Sequence, residues 1–401
     1  MAVAACMAGD LKQLKRVLEG IDPTLVRVCH PWLGEINLVT LVLEKGFLSA
    51  ADWLRFQGVP VIDPQDLMLS ACRQGRLHVA NWLEEYTQLD YTHMIAACTN
   101  GHLIMAQWLR EKGVDIYYGD VNGRTALLWA SSEAHNDIIA WLVQEGANVR
   151  ETDHTGNTCM MLACMNGHLT TAKFIYEFAP DLLHLPNMSG GTPFLYGCQE
   201  GQFDVVKWLF ELNATPRVRD ALGWTPLMYV CLNGFYDIFQ WLLQVDPDIL
   251  QDLNSTNRWG HNCFDVACTR GHDEIALNLI PLGAEVSDKV LTQASEHHPV
   301  TVGKICRYLV HQGVKVVDIK APFSVITEVL RSDLRDHAGF FLVLLGMRSV
   351  RRAKHAKQEK ECVLPWINND LVILLIADFV GVVRGSPLRN VRNAVHDLSA
   401  P

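Results

Sequence analysis

No stretch of the sequence reaches the roughly 18–20 uninterrupted apolar residues that cross a bilayer. The nearest candidate, 363–383, is broken by Asn368, Asn369, Asp370 and Asp378. Each charge at bilayer depth costs several kcal/mol, so membrane insertion is not expected. Met1 to Asp10 has no basic n-region and only a short apolar run, so a secretory signal is not expected either. The compartment that follows is cytoplasm, with the nucleus as the other choice. Positive charge is scarce: 34 Lys and Arg stand against 44 Asp and Glu, a net charge of −10. A broad phosphate-binding surface needs cations to neutralise phosphates, so nucleic acid is not an expected partner. Twelve cysteines include no Cys-x-x-Cys, which removes the usual zinc-knuckle and redox spacings. There is no P-loop, no Gly-x-Ser-x-Gly, no His-Glu-x-x-His and no dinucleotide fingerprint. Acidic pairs such as Glu84-Glu85 read as solvated helix faces, and His297-His298 lacks partners at ligand spacing. No catalytic residue, cofactor or metal is expected, and the chain is expected not to be an enzyme.

Apolar residues are plentiful, at 49%, so the chain is globular rather than disordered. They recur with a period. Glycines at 46, 75, 101, 167, 201 and 234 are each followed seven residues later by Trp or Phe: Trp53, Trp82, Trp108, Phe174, Trp208 and Trp241. Ala134 replaces the glycine once, and Trp141 keeps the offset; Gly271 continues the series of origins. The origins 101, 134, 167, 201 and 234 lie 33 or 34 residues apart. Those at 46, 75 and 101 are closer, with room for two helices and a short loop only.

Within this period the same short motifs return. Asn122-Gly123-Arg124-Thr125, Thr155-Gly156-Asn157-Thr158, Gly190-Gly191-Thr192-Pro193 and Gly223-Trp224-Thr225-Pro226 open repeats. Gly101-His102, Gly167-His168 and Gly271-His272 mark their middles, and Gly146-Ala147-Asn148-Val149 and Gly283-Ala284-Glu285-Val286 their ends. A Thr hydroxyl before a first-turn proline caps a helix, and glycine supplies the positive φ between two antiparallel helices. Asp120, Asp153, Asn187, Asp220 and Asn257 precede the capping position by five residues, where they form Asx turns. The pattern resembles the ankyrin repeat family, most closely over 117–286. The resemblance implies an all-α helical repeat solenoid with β-hairpin fingers in the middle repeats. Around it, 1–116 reads as short or degenerate repeats, 287–347 as degenerate repeats, 348–361 as a basic linker and 362–401 as a helical C-terminal piece.

Seven cysteines (6, 72, 98, 164, 198, 231 and 268) lie three residues before an origin glycine, where such repeats bring two helices together. They read as free core thiols, because successive sites stand about 10 Å apart, beyond disulfide reach. The second-helix tryptophans read as core, each costing about 3–5 kcal/mol on replacement by Ala. His102, His168 and His272 read as structural. The family's Thr-Pro-Leu-His lacks its His here: Leu128, Met161, Leu195 and Met228 stand there.

The resemblance implies reversible binding of a partner protein, by a monomer, on the concave finger-bearing side. The exposed, variable positions flank the turn glycine and precede the origin glycine. They map onto Arg124, His154, Asn157, Met188, Glu200, Arg219, Leu222, Trp224, Arg258, Trp259, His261 and Arg270. Arg219, Leu222, Trp224, Arg258 and Trp259 stand out, because neither tryptophan lies at the second-helix offset and hot spots favour Trp and Arg. The alternative is that each ring packs on its neighbouring finger. In the tail, Leu364-Pro365 followed by an apolar run to Val380 faintly resembles an F-box. That would make the chain a substrate receptor of a ubiquitin ligase, with 362–401 on the adaptor. A helix capping the last repeat is the favoured reading of that segment.

Overall fold

The computed structural model describes residues 2–30, 34–286 and 288–311. The basic run, the C-terminal piece and the stretch 312–347 lie outside the described residues. The chain divides into two compact units, Met1–Thr215 and Pro216–Pro401. Among the described residues it is mostly helical, built of ten helix–turn–helix pairs. The first unit holds seven: α1 (Ala2–Ala8) with α2 (Leu11–Val17), α3 (Leu38–Lys45) with α4 (Leu48–Phe56), α5 (Pro64–Arg73) with α6 (Leu77–Leu83), α7 (Tyr91–Thr99) with α8 (Leu103–Glu111), α9 (Ala126–Ser132) with α10 (Asn136–Gln144), α11 (Cys159–Met165) with α12 (Leu169–Phe178), and α13 (Pro193–Gln199) with α14 (Phe203–Glu211). The second unit holds α15 (Pro226–Asn233) with α16 (Tyr236–Val245), α17 (Cys263–Arg270) with α18 (Asp273–Leu279), and α19 (Asp288–His297) with α20 (Pro299–His311). First helices stack on first helices, from α5 through α13 in one unit and from α15 through α19 in the other. None of the described helices is long and apolar enough to cross a membrane.

The starts of the first helices follow from their caps. The hydroxyls of Thr125, Thr158, Thr192 and Thr225 accept from the backbone N–H three residues on. Pro193 and Pro226 open α13 and α15 where no amide is needed. Asn262 caps α17 in a capping box with Asp265.

Small and branched side chains make the core. The seven repeat-position cysteines are fully buried, as are Leu54, Leu83, Leu109, Leu142, Ile175, Leu209 and Leu242, one place after each aromatic. The aromatics correct the sequence reading: Trp108 is buried at 7% exposure, but Trp53, Trp82, Trp141, Phe174, Trp208 and Trp241 are only half-buried. The leucine points at the first helix, so the ring beside it turns along the outer face. There it meets the neighbouring repeat, as in Trp82 Nε1 donating to Asp52 Oδ1 at 2.6 Å and Trp208 edge-on to Tyr176. Burial pushes the Cys6 thiol to about 11 and those of Cys72 and Cys98 to about 12.

The fingers are also corrected. The segments 120–124, 153–157, 187–191, 220–224 and 257–261 are tight turns without flanking strands. One isolated bridge, Thr152 with Thr158, is the nearest approach to a hairpin among them. The cause is local: the Asx side chain takes the amides two and four residues on, and the backbone closes each turn with two bonds, as in Gly123 N to Asp120 O and Asp120 N to Arg124 O. Strands occur instead where none is expected, in an antiparallel pair of β1 (Arg27–His30) and β2 (Gly34–Asn37). The degenerate stretch after 287 contributes the complete pair α19–α20.

Each origin glycine has positive φ, and at Gly46, Gly75, Gly101, Gly234 and Gly271 a histidine ring of the next repeat lies against it. A Cβ on Gly75 would stand 2.6 Å from His102, and one on Gly101 would stand 2.6 Å from His135. From that position the rings reach carbonyls two residues before the origin: His102 Nε2 to Arg73 O at 2.9 Å, His135 to Thr99 O at 3.0 Å, His168 to Ser132 O at 2.9 Å and His272 to Leu232 O at 3.0 Å. Gln202 does the same to Met165 O at 3.1 Å. His298 lies against Gly271 in the same way.

Ala134 holds φ at +64°, a conformation that costs an L-residue about 1–2 kcal/mol. Ala134→Gly is therefore expected to raise the melting temperature by about 2–4 °C. Gly101→Ala, which drives a methyl into His135, is expected to lower it by more; thermal unfolding of both variants checks the pair. Ten cysteines, free and buried, are expected to resist a thiol reagent at pH 8 in the native protein and to react once denaturant is added.

Candidate protein-binding surface

The Asx residue organises every finger. Asp120 Oδ1 accepts from the amides of Asn122 and Arg124, and Asp220 Oδ1 from those of Leu222 and Trp224. Asp153, Asn187 and Asn257 repeat the arrangement. In three fingers the second side-chain atom then turns to an aromatic nine residues on, in the first helix; at Asp153 that place is Leu162, and Oδ2 accepts from Asn157 and Arg124 instead. Trp129 Nε1 donates to Asp120 Oδ2 at 3.1 Å, Asn187 Nδ2 donates to the Tyr196 hydroxyl at 2.7 Å, and the Tyr229 hydroxyl donates to Asp220 Oδ2 at 2.9 Å. At Asn257 that place is Val266, and the buried amide Nδ2 has no partner among the described residues. Neighbouring fingers are tied by one backbone bond: His154 N to Asn122 O and Met188 N to Thr155 O in the first unit, Arg258 N to Leu222 O in the second.

In the first unit Arg124 is a half-buried clip, 3.4 Å from Asp153 Oδ2 and 5.1 Å over the Trp129 ring. Burial works against the Asp153 carboxylate, but bonds from Thr155 and Asn157 outweigh it and hold its pKa low. Asn157 is not a surface residue. It is buried, donates to Asp153 and Thr155, and accepts from Asn187 Nδ2 at 2.7 Å, because only an amide satisfies all three neighbours. His154, Met188 and Glu200 are exposed, Met188 at 77%. Val121 is 90% exposed, and sequence reading missed it. Its one signal is its place directly after the Asx residue, shared with His154, Met188 and Arg258.

In the second unit Arg219 pairs with Asp252 at 2.6 Å. Trp224 is half-buried, stacked on Tyr229 with ring centroids 5.1 Å apart, and the Trp259 ring meets it edge-on at 6.2 Å. Trp259 itself is 58% exposed and Leu222 37%. His261 is half-buried; Arg258 and Arg270 are exposed. Tyr229, absent from the sequence-based set, is the platform under the Trp224 ring.

A model of ankyrin repeats matches three times, over residues 67–153, 135–220 and 212–290. The protein belongs to the ankyrin repeat family. Ankyrin repeats are typically non-enzymatic interaction modules. No curated protein matches the sequence. Among the described residues no group of three or more His, Cys, Asp or Glu side chains could hold a metal.

This ankyrin chain departs from its family at the fourth capping-motif position. Leu128, Met161, Leu195 and Met228 are buried and apolar there, and Asp265 is buried at 3% exposure with Oδ1 unpartnered. Burial pushes the Asp265 carboxyl up, against the Asn262 amide and the nearby His261. A carboxyl raised in the native state lends stability at low pH and loses it as pH rises through its native value. Asp265→Asn keeps the acceptor for Asn262 without the charge. The variant is expected to melt a few degrees higher than wild type at pH 7, with the gain shrinking towards zero near pH 3.8. A melting series across pH 3.5–8 checks the direction.

Proposed function

We propose that this protein is a non-catalytic recognition subunit, acting as a monomer, that binds a partner protein on its finger-bearing surface. The observation that carries the reading is Trp259, 58% exposed and edge-on to a half-buried Trp224 that rests on Tyr229. Leu222 and Arg258 flank it, and the backbones of the two fingers are bonded together. Exposed tryptophan beside arginine on a rigid support is the composition of an interface hot spot. Arg124, His154 and Met188 form a secondary set in the first unit, with Arg219, His261 and Arg270 completing the set in the second. A reducing compartment, cytoplasm or nucleus, suits a core containing ten free cysteines. The ligase-receptor alternative rests on Leu364-Pro365 and the apolar run behind it, and would use 362–401 to dock an adaptor.

The two tryptophans separate binding from folding. Trp259→Ala is expected to leave the melting temperature within about 1 °C and to weaken partner affinity at least tenfold, about 1.4 kcal/mol. Trp224→Ala removes a stacked ring and is expected to cost about 1 kcal/mol of stability as well. Affinity purification with wild type and Trp259→Ala, followed by titration of the partner recovered, measures the difference. An unchanged partner set with unchanged affinity would end this reading.

A further inference from the structure

The segments that build the tryptophan face of the second unit, 220–233 and 257–271, contain two acids and two arginines. Neither acid offers its charge outward. The Asp220 carboxylate accepts from the amides of Leu222 and Trp224 and from the Tyr229 hydroxyl. Asp265 is buried. Both arginines are exposed and, among the described residues, neither takes part in an ion pair. A chain of net charge −10 thus presents an unpaired arginine next to an exposed ring, and a second at the end of the helix behind it.

We infer that this face takes an acidic polypeptide segment of the partner, with carboxylates on Arg258 and Arg270 and an apolar side chain over Trp259. The inference rests on the finger-face reading and adds the ligand's chemistry. Arg258 lies in the finger that precedes α17, and Arg270 is the last residue of that helix. The seven helical steps of α17 alone span about 10 Å, and Arg258 lies before its first residue. One carboxylate cannot reach both, so the ligand needs two acids several residues apart with the apolar anchor between them. Aromatic faces by themselves attract cations, so a lysine- or ammonium-bearing ligand is the competing chemistry. An unpaired guanidinium next in sequence to Trp259 opposes it, and the Asp220 carboxylate on the same pair of fingers is already occupied by three donors.

A phage library of random dodecapeptides, panned on the full chain, tests this. The expected outcome is enrichment of peptides with at least two Asp or Glu separated by three or more positions and an apolar residue between. Recovery of these peptides is expected to fall at least tenfold on Arg258→Gln/Arg270→Gln and on Trp259→Ala, with melting temperatures checked to show that the variants are folded. Enriched peptides that are neutral or basic but still need Trp259 overturn the acidic ligand and leave the finger face standing as a binding surface. Peptides indifferent to all three substitutions overturn both. No enrichment above background overturns the acidic ligand.

Discussion

A ring nitrogen of one repeat reaches a carbonyl of the repeat before it by lying flat on the glycine two positions beyond that carbonyl. Three requirements meet at this residue. The chain must turn between antiparallel helices, which needs positive φ. The ring must approach closely: at Gly234 a Cβ would stand 2.4 Å from His272. The carbonyl at a helix end must find a donor, or it remains an unpaired polar group. Glycine followed by histidine meets all three, and the chemistry is tolerant where the geometry is kept. Gln202 supplies an amide in place of the ring, and Phe47 lies against Gly9 with no nitrogen at all. Ala134 keeps the turn at a local backbone cost while His168 still reaches Ser132 O.

The fingers obey a second constraint of the same kind. Their amides would be unpaired in a bare loop, and one Asx oxygen collects two of them. The price is regular pairing: an amide held by a side chain cannot extend a strand ladder, so compact turns replace hairpins. What remains of the Asx group then ties the turn to its own helix through Trp129, Tyr196 or Tyr229. Val266 breaks that link, leaving the Asn257 amide buried and unmatched, a deficit on the order of 1–3 kcal/mol. The finger that carries Trp259 is consequently the least satisfied of the five.

Much of this was legible in the sequence because it is local. Period, caps, Asx positions and the small residue at the helix contact all lie within one repeat, and each has a residue type that physical chemistry demands. The misses involve partners a full repeat away. Asn157 reads as a loop residue until Asn187, thirty positions on, donates to it. The tryptophans read as core because their offset is regular, yet regularity fixes only the face of the helix. How deeply the ring sits is set by what the adjacent repeat places against it, and those outer-face residues, such as Asp52 and Tyr176, follow no period. His135 was overlooked because its origin residue is alanine, and β1–β2 because nothing in the repeat pattern calls for strands there.

The same division explains where binding chemistry can reside. The frame uses the Asx side chain, two amides of the finger and the capping hydroxyl; it makes no demand on the side chain that follows the Asx residue. That row reads Val121, His154, Met188, Ala221 and Arg258, five chemistries on one backbone form. Trp259 follows the row by one place, where its backbone amide bonds Asn257 while its ring stays largely in water. Leaving apolar area exposed forgoes roughly 25 cal/mol for each Å² that could have been buried. From a ring of that size the fold takes only an edge-on contact with Trp224. A large ring held out of the core, on a turn fixed by hydrogen bonds and beside an arginine without a counterion, serves contact with another molecule better than it serves the fold.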